Sequence, residues 1–234
     1  MAKKVFIGVG HGGPDPGAVS GTFKESALNL SIALAAKKEL ERHGLSVGIS
    51  RTKEEEDRLA EEIKECKAFA PDVAIEVHNN AGGGDGFEVY MQTGANGLKS
   101  KMLATAIEKR VKATGQNSRG LHTKLNANKT DYFGWLRQLP CPAVLLEGFF
   151  VDGLKDRTDY DTEAELQELG AAYAHGVLDY LGVTVKAASA GNSTTATGGK
   201  MYRVQVGAFA NKAAAEAFAK KVKAAGFDTV IKYS

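Results

Sequence analysis

The sequence predicts an α/β protein of three layers, a mostly parallel central sheet with helices on both faces, followed by a small β-α-β tail. Two observations predict it. Short runs of β-branched and aromatic residues, at 5–9, 47–49, 73–78, 87–91 and 143–146, alternate with longer segments whose apolar residues recur at helical spacing. From residue 184 the composition turns to Ala, Ser, Thr and Gly, and one strand-helix-strand pattern follows.

The bulk numbers bound the function. The chain has 234 residues, 43% of them hydrophobic, enough for a medium domain with a sizeable core plus a small unit. A formal charge of +2 is too mild to suggest nucleic acid as a partner. Cys66 and Cys141 lie far apart with no second pair, which favours unpaired core thiols over a disulfide framework or a zinc knuckle. No run approaches the roughly 20 apolar residues of a membrane span. Lys3 and Lys4 imitate an export signal, but the apolar run after them falls short of the about 7–15 residues needed. The expectation is a protein without membrane insertion or signal peptide, cytoplasmic until released.

The first run closes in Gly8-Val-Gly-His-Gly-Gly-Pro-Asp-Pro-Gly17, a buried strand stopping at a tight turn. Its glycines let backbone pass close to something and leave His11 projecting, ready to donate a ring nitrogen to a metal. Taken alone, the stretch fits equally well a glycine turn with an incidental histidine.

A helical pattern then runs from residue 25 to about residue 43, with Leu30, Ala33, Leu34 and Leu40 at helical spacing and Gly44 as its stop. A short strand at 47–49 ends near Arg51. Residues 53–67 read as a solvated charged helix with Leu59 and Ile63 as its stripe. A strand at 73–78 ends in His78-Asn-Asn-Ala81, and a glycine-rich turn leads to a strand at 87–91. Residues 98–113 read as a helix, 116–130 as an irregular polar loop, and 132–136 as a further strand. The run 143–146 between Pro142 and Glu147 is a strand, and Thr162 with Glu165 opens a long helix to about Leu181 as a capping box.

In parallel sheets, ligands sit outside the carboxyl ends of the strands. His11, His78 and Glu147 each fall at such an end. Glu25 opens the first helix on the same edge by the right-handed crossover rule. Two histidines, a carboxylate and an open position form the ligand set of a catalytic zinc hydrolase, with His11, Glu25 and His78 as the candidates. Their spacing alone is a weak signal. His43 fits a helix C-terminus, His175 a helix filler, His122 a solvated loop and Trp135 a core anchor.

Seven motifs then occur in order: Gly10-His-Gly-Gly-Pro-Asp-Pro-Gly-Ala18; Glu25-Ser-Ala-Leu-Asn-Leu-Ser-Ile-Ala33; Ser50-Arg-Thr52 with Arg58; His78-Asn-Asn-Ala81; Gly86-Phe-Glu-Val-Tyr90; Arg119-Gly120; and Pro142-Ala-Val-Leu-Leu-Glu-Gly-Phe-Phe150. In these motifs residues 3–182 resemble the zinc-dependent, autolysin-type N-acetylmuramoyl-L-alanine amidases. The resemblance implies one Zn2+ on His11, Glu25 and His78, and Glu147 as the catalytic acid/base. It implies Arg51, Asn80 and Arg119 as substrate-binding residues, and peptidoglycan as the substrate. The bond cut would join N-acetylmuramic acid to L-alanine of the stem peptide.

The sequence departs from that family at two places. Gly8-Val9 stands where the family commonly has Asp-Pro, so a carboxylate that would orient His11 is missing. Glu76 stands where a serine is usual. It points to the same face as His78 and either replaces that carboxylate or is an exposed strand-end glutamate.

After a flexible linker at 183–200, residues 201–234 resemble half of a sporulation-related repeat (SPOR) domain, as a strand at 202–209, a helix at 211–226 and a strand at 229–233. That resemblance implies binding to peptide-free glycan strands. A half repeat leaves a helix face and a strand edge open, so the tail is expected either to dimerise or to be a partly disordered remnant. A zinc exopeptidase and a non-catalytic wall-binding module are the alternative functions, and a phage endolysin and a bacterial autolysin the alternative settings.

Overall fold

The computed structural model describes residues 2–186 and 211–224. The first compact unit spans Met1–Ala187 and the second Ala188–Ser234. In the first unit, β1 (Lys4–Val9), the ribbon strands β2 (Val19–Ser20) and β3 (Phe23–Lys24), α1 (Glu25–Arg42), β4 (Ser46–Ile49) and α2 (Leu59–Phe69) lead to β5 (Val73–Asn80). β6 (Phe87–Met91), α3 (Gly97–Ala113), β7 (Ser118–His122), α4 (Gly134–Gln138), β8 (Ala143–Phe150), α5 (Leu154–Asp159) and α6 (Glu163–Leu181) complete it. In the second unit the described element is α7 (Lys212–Ala224), inside the helix expected at 211–226. The expected strands at 202–209 and 229–233 lie outside the described residues, as does most of the linker.

Six strands form the sheet in the order β4-β1-β5-β8-β6-β7. All neighbours are parallel except β6, which runs antiparallel to β8. Side chains alternate between the two faces. Val5, Ile7, Val9, Ile75, Val77, Val144 and Leu146 pack against α1, α3 and α6 in the larger core. Phe6, Ala74, Ala143 and Leu145 face α2 and α4 in a smaller core around Trp135. Glu76, His78 and Glu147 continue this second face toward the strand ends.

The helix ends are built as the sequence suggests. The Thr162–Glu165 capping box opens α6 and Gly182, in the left-handed conformation, closes it. Gly44 follows α1 at φ 82°. Cys66 and Cys141 are free and buried in the smaller core.

Three sequence expectations are corrected. Residues 132–136 are no strand: α4 occupies 134–138, and its Trp135 and Leu136 are both buried in the smaller core. The region 116–130 is not all loop. Its start forms β7, which among the described residues is an edge strand paired only with β6, and which carries almost no apolar signal. The helix expected at 53–67 begins at Leu59, and it is not simply solvated, because Glu62, Ile63 and Cys66 are all buried.

Candidate metal centre and catalytic cleft

The turn after β1 places the first ligand. Gly10, whose N–H bonds Val77 O at 3.1 Å, leads into His11 at φ 64°, a left-handed conformation uncommon outside glycine. Gly12 and Asp15 exchange two backbone hydrogen bonds, of 2.8 and 3.1 Å, and so close the turn. Asp15 Oδ2 then lies 2.8 Å from His11 Nδ1, while its Oδ1 accepts the Gly17 N–H at 3.0 Å. This leaves His11 Nε2 facing Glu25 Oε2 at 3.3 Å. The sequence left His11 without an orienting carboxylate; the turn itself supplies one, four residues on.

Glu25 is the first residue of α1, where a carboxylate is favoured by the helix dipole. Its Oε2 accepts the Ala18 N–H at 2.9 Å and its Oε1 accepts the Asn79 N–H at 3.1 Å. Asn29, one turn further along α1, donates to Gly10 O at 2.9 Å and accepts from Asn79 at 2.8 Å. The first helix and the first and third long strands are thereby tied together behind the site. His78, near the end of β5, presents Nδ1 to Glu25 Oε1 at 3.0 Å. Its Nε2 lies 3.5 Å from Glu76 Oε1. Glu76, only 4% exposed, therefore faces His78, not His11, because strand alternation sets both on one side of β5.

One ligand atom from each of His11, Glu25 and His78 lies within 4.8 Å of the others. The space around them is kept clear by glycines. A Cβ at Gly10 would meet the His78 ring at 2.2 Å, and one at Gly17 would meet Glu25 Oε2 at 2.6 Å and His11 Cδ2 at 2.7 Å. Two imidazoles and a carboxylate on one side of such a cradle fit a divalent cation of the zinc type, with open positions left over.

The electrostatics are those of a cation site. Glu25's hydrogen bonds raise His11 above the usual imidazole range, against burial. Burial pulls His78 down, but Glu25, Glu76 and Glu147 outweigh it and hold it well above that range. Burial would raise Glu25, yet the two imidazoles keep it far below the usual carboxylate range.

Glu147 stands beside His78 on the neighbouring strand. In β8 it is the register partner of His78 on one side and of Glu88 on the other. Burial, against the pull of His78 and with the repulsion of Glu25, Glu88 and Glu76, pushes its carboxyl up to about 7. Its Oε2 is buried without a hydrogen-bond partner among the described residues. A carboxyl poised near neutrality with a free oxygen suits proton transfer.

The remaining expected residues divide. Asn80 donates to Glu88 Oε2 at 3.2 Å, and Arg119, half exposed, pairs through Nε with Glu88 Oε1 while its guanidinium lies 5.2 Å over the Phe150 ring. Both stand on the rim beside Glu147. Arg51 does not. It is 2% exposed and donates to Val9 O at 3.2 Å, Gly10 O at 3.3 Å and Ser26 O at 2.7 Å. Its guanidinium fixes the backbone that carries His11, which leaves it no free face for a substrate. His122 is half-buried in β7 beside Tyr90, not in a loop. Glu88, which gathers Asn80, Arg119 and Tyr90, escaped sequence reasoning; its alternation with Tyr90 in Gly86-Phe-Glu-Val-Tyr90 was the available signal.

Comparison with known proteins agrees with this geometry. The family described as N-acetylmuramoyl-L-alanine amidase matches residues 5–179, and the SPOR domain matches residues 163–233. The sporulation-specific N-acetylmuramoyl-L-alanine amidase of Bacillus subtilis is 32% identical over 230 residues, 97% of this chain and 84% of that protein. The endolysin of Bacillus phage SPP1 is 31% identical over 193 residues, 80% of this chain and 69% of that protein. The catalytic domain of CwlV, an N-acetylmuramoyl-L-alanine amidase of Bacillus (Paenibacillus) polymyxa, superimposes with a TM-score of 0.69 at 29% identity, over 78% of this chain and 99% of that one. With the family match covering the whole sheet and every residue of the cleft, the chain belongs to the N-acetylmuramoyl-L-alanine amidases.

Proposed function

We propose that this protein hydrolyses the amide between the lactyl group of N-acetylmuramic acid and L-alanine in peptidoglycan, at a zinc site formed by His11, Glu25 and His78. The observation that carries the reading is the convergence of these three ligands with Glu147, the register partner of His78, whose Oε2 is buried without a hydrogen-bond partner among the described residues. The chemistry a zinc ion supplies there is Lewis acidity toward water and toward the scissile carbonyl. Glu147 takes the proton of the attacking water and later delivers it to the leaving nitrogen, so that a carboxylate and an amine are formed. Arg119 and Asn80, set by Glu88 and Phe150 on the rim, orient the muramyl-peptide. Asp15 holds the His11 ring so that Nε2 faces the site.

The SPOR match, over residues 163–233 and so including the tail, supports attachment to the wall, and glycan strands stripped of peptide are the tail's proposed ligand. Among the described residues no helix is long and apolar enough to cross a membrane.

Digestion of purified peptidoglycan with and without a chelator, read by mass spectrometry, tests the reading. Free stem peptides with new L-alanine amino termini and no new reducing sugars are expected, and chelation is expected to abolish them. Release of single amino acids would mark an exopeptidase, and co-sedimentation without any release a binding module. Light scattering tests the pairing expected of the tail: a dimer supports it, and a monomer with a folded tail overturns it.

A further inference from the structure

Behind the metal centre stand two buried acids that the mechanism does not use. Glu62 of α2 is 3% exposed and Glu76 of β5 is 4% exposed. Burying carboxylates is costly, so both invite a reason. Their positions give one.

Gly8 is the register partner of Glu76 across the β1–β5 pair. A Cβ at Gly8 would lie 2.5 Å from Glu62 Oε1 and 3.1 Å from the Trp135 ring, so the Glu62 carboxyl occupies the space that a side chain at position 8 would fill. From there Glu62 Oε1 accepts the Val9 N–H at 2.9 Å, an amide also bonded to Ser50 Oγ at 3.0 Å. Val9 leads directly through Gly10 to His11. On the neighbouring strand, Glu76 Oε1 lies 3.5 Å from His78 Nε2, the nitrogen turned away from Glu25.

We infer that Glu62 and Glu76 are positioning residues of the metal centre, with Glu62 reaching in from α2 to stand in for a carboxylate that position 8 lacks. Glu76 holds the His78 ring so that Nδ1, not Nε2, is turned to the ligand cluster. Glu62 anchors the end of β1 and places its carboxylate beside Glu76. Gly8 is the condition for this arrangement, because any larger residue there collides with Glu62. The inference rests on the zinc reading of the site.

The test is metal binding by the full-length protein. The metal-free wild type and the variants Glu62→Ala, Glu62→Gln, Glu76→Gln, Gly8→Asp and the double variant Gly8→Asp/Glu62→Ala are titrated with Zn(II) against a chromophoric chelator. Co(II) absorption spectra report ligand geometry. Loss of either acid is expected to weaken Zn(II) binding about 10–100-fold and to shift the Co(II) spectrum, as loss of outer partners of metal-binding histidines does. Glu62→Gln keeps an oxygen for the Val9 amide, and so gives a conservative variant whose Zn(II) binding is expected to stay closer to the wild type than that of Glu62→Ala. Gly8→Asp alone is expected to lower the melting temperature of the metal-free protein. The double variant, with the carboxylate moved onto position 8, is expected to recover the affinity lost in Glu62→Ala.

Wild-type affinity and spectrum in Glu62→Ala and Glu76→Gln would overturn the inference. So would a double variant no better than Glu62→Ala, or a Gly8→Asp protein as stable as the wild type. A wild type that binds no Zn(II) overturns the zinc reading itself, and that result is separate because it precedes any comparison of variants.

Discussion

Asp15 Oδ2 lies 2.8 Å from His11 Nδ1, four residues along a turn that Gly12 and Asp15 close with two backbone hydrogen bonds. The carboxylate fixes which ring nitrogen is left for the cluster. Asp15→Asn removes its charge while keeping its shape, so Zn(II) affinity is expected to fall about 10–100-fold with little change in the melting temperature of the metal-free protein. Competition titration checks this, and unchanged affinity would leave Asp15 a turn residue only.

Glu147→Gln separates binding from proton transfer. It lies opposite His78 but outside the ligand triad. Zinc affinity is expected to hold within a few-fold, while the rate of stem-peptide release falls by about 10²–10⁴, the usual contribution of a positioned acid/base. An active Glu147→Gln enzyme removes the residue from the mechanism.

Acidification should strip the site of metal. Both histidines are raised above their ordinary range in the metal-free protein, whereas Glu25 is depressed and stays ionised. A raised imidazole keeps its proton to higher pH than an ordinary one, and a protonated ring nitrogen cannot bind a cation. Zinc affinity is therefore expected to fall as pH drops from 8 to 6, by about tenfold per pH unit for each histidine held protonated. Titrations at three pH values with proton release measured in parallel decide it; a flat affinity profile is the contrary result.

Two arginines from the same sequence motif set make opposite predictions. Arg51 is buried and satisfies three backbone carbonyls around the His11 turn, so Arg51→Met is expected to destabilise the fold by about 2–4 kcal/mol, a cost set by those unpaired groups. Arg119 is half exposed on the rim, and its ion pair with Glu88 contributes about 1 kcal/mol or less to stability. Arg119→Ala is expected to leave the melting temperature nearly unchanged and to raise KM. Denaturant unfolding and kinetics on solubilised peptidoglycan distinguish the two.

Saturation with zinc should also stabilise the fold, because the ligands come from β1's turn, α1 and β5, elements brought together only in the folded chain. At a thousandfold excess over Kd the gain is about 4 kcal/mol, a rise of about 10 °C in the melting temperature for a domain of this size. Differential scanning fluorimetry with Zn(II) and with chelator measures it, and identical curves would argue against the site.

The alternation of strand and helix, the caps of α6 and the four residues at the strand and helix ends were legible in the chain, because period, capping chemistry and chain direction are local properties. Glycines around His11 could be read as a close approach, though not to what. The structure alone decided the rest. Arg51 turned inward because the carbonyls it satisfies belong to Val9, Gly10 and Ser26, distant in sequence from it and gathered only by folding. α4 replaced a strand because Trp135 and Leu136 share one buried face. Asp15 and Glu62 became partners of the metal-binding backbone through a turn geometry and a helix approach that no spacing encodes. Which residue types could hold a cation was written in the sequence; which groups stand behind them was fixed by packing, since a partner is chosen by distance and burial.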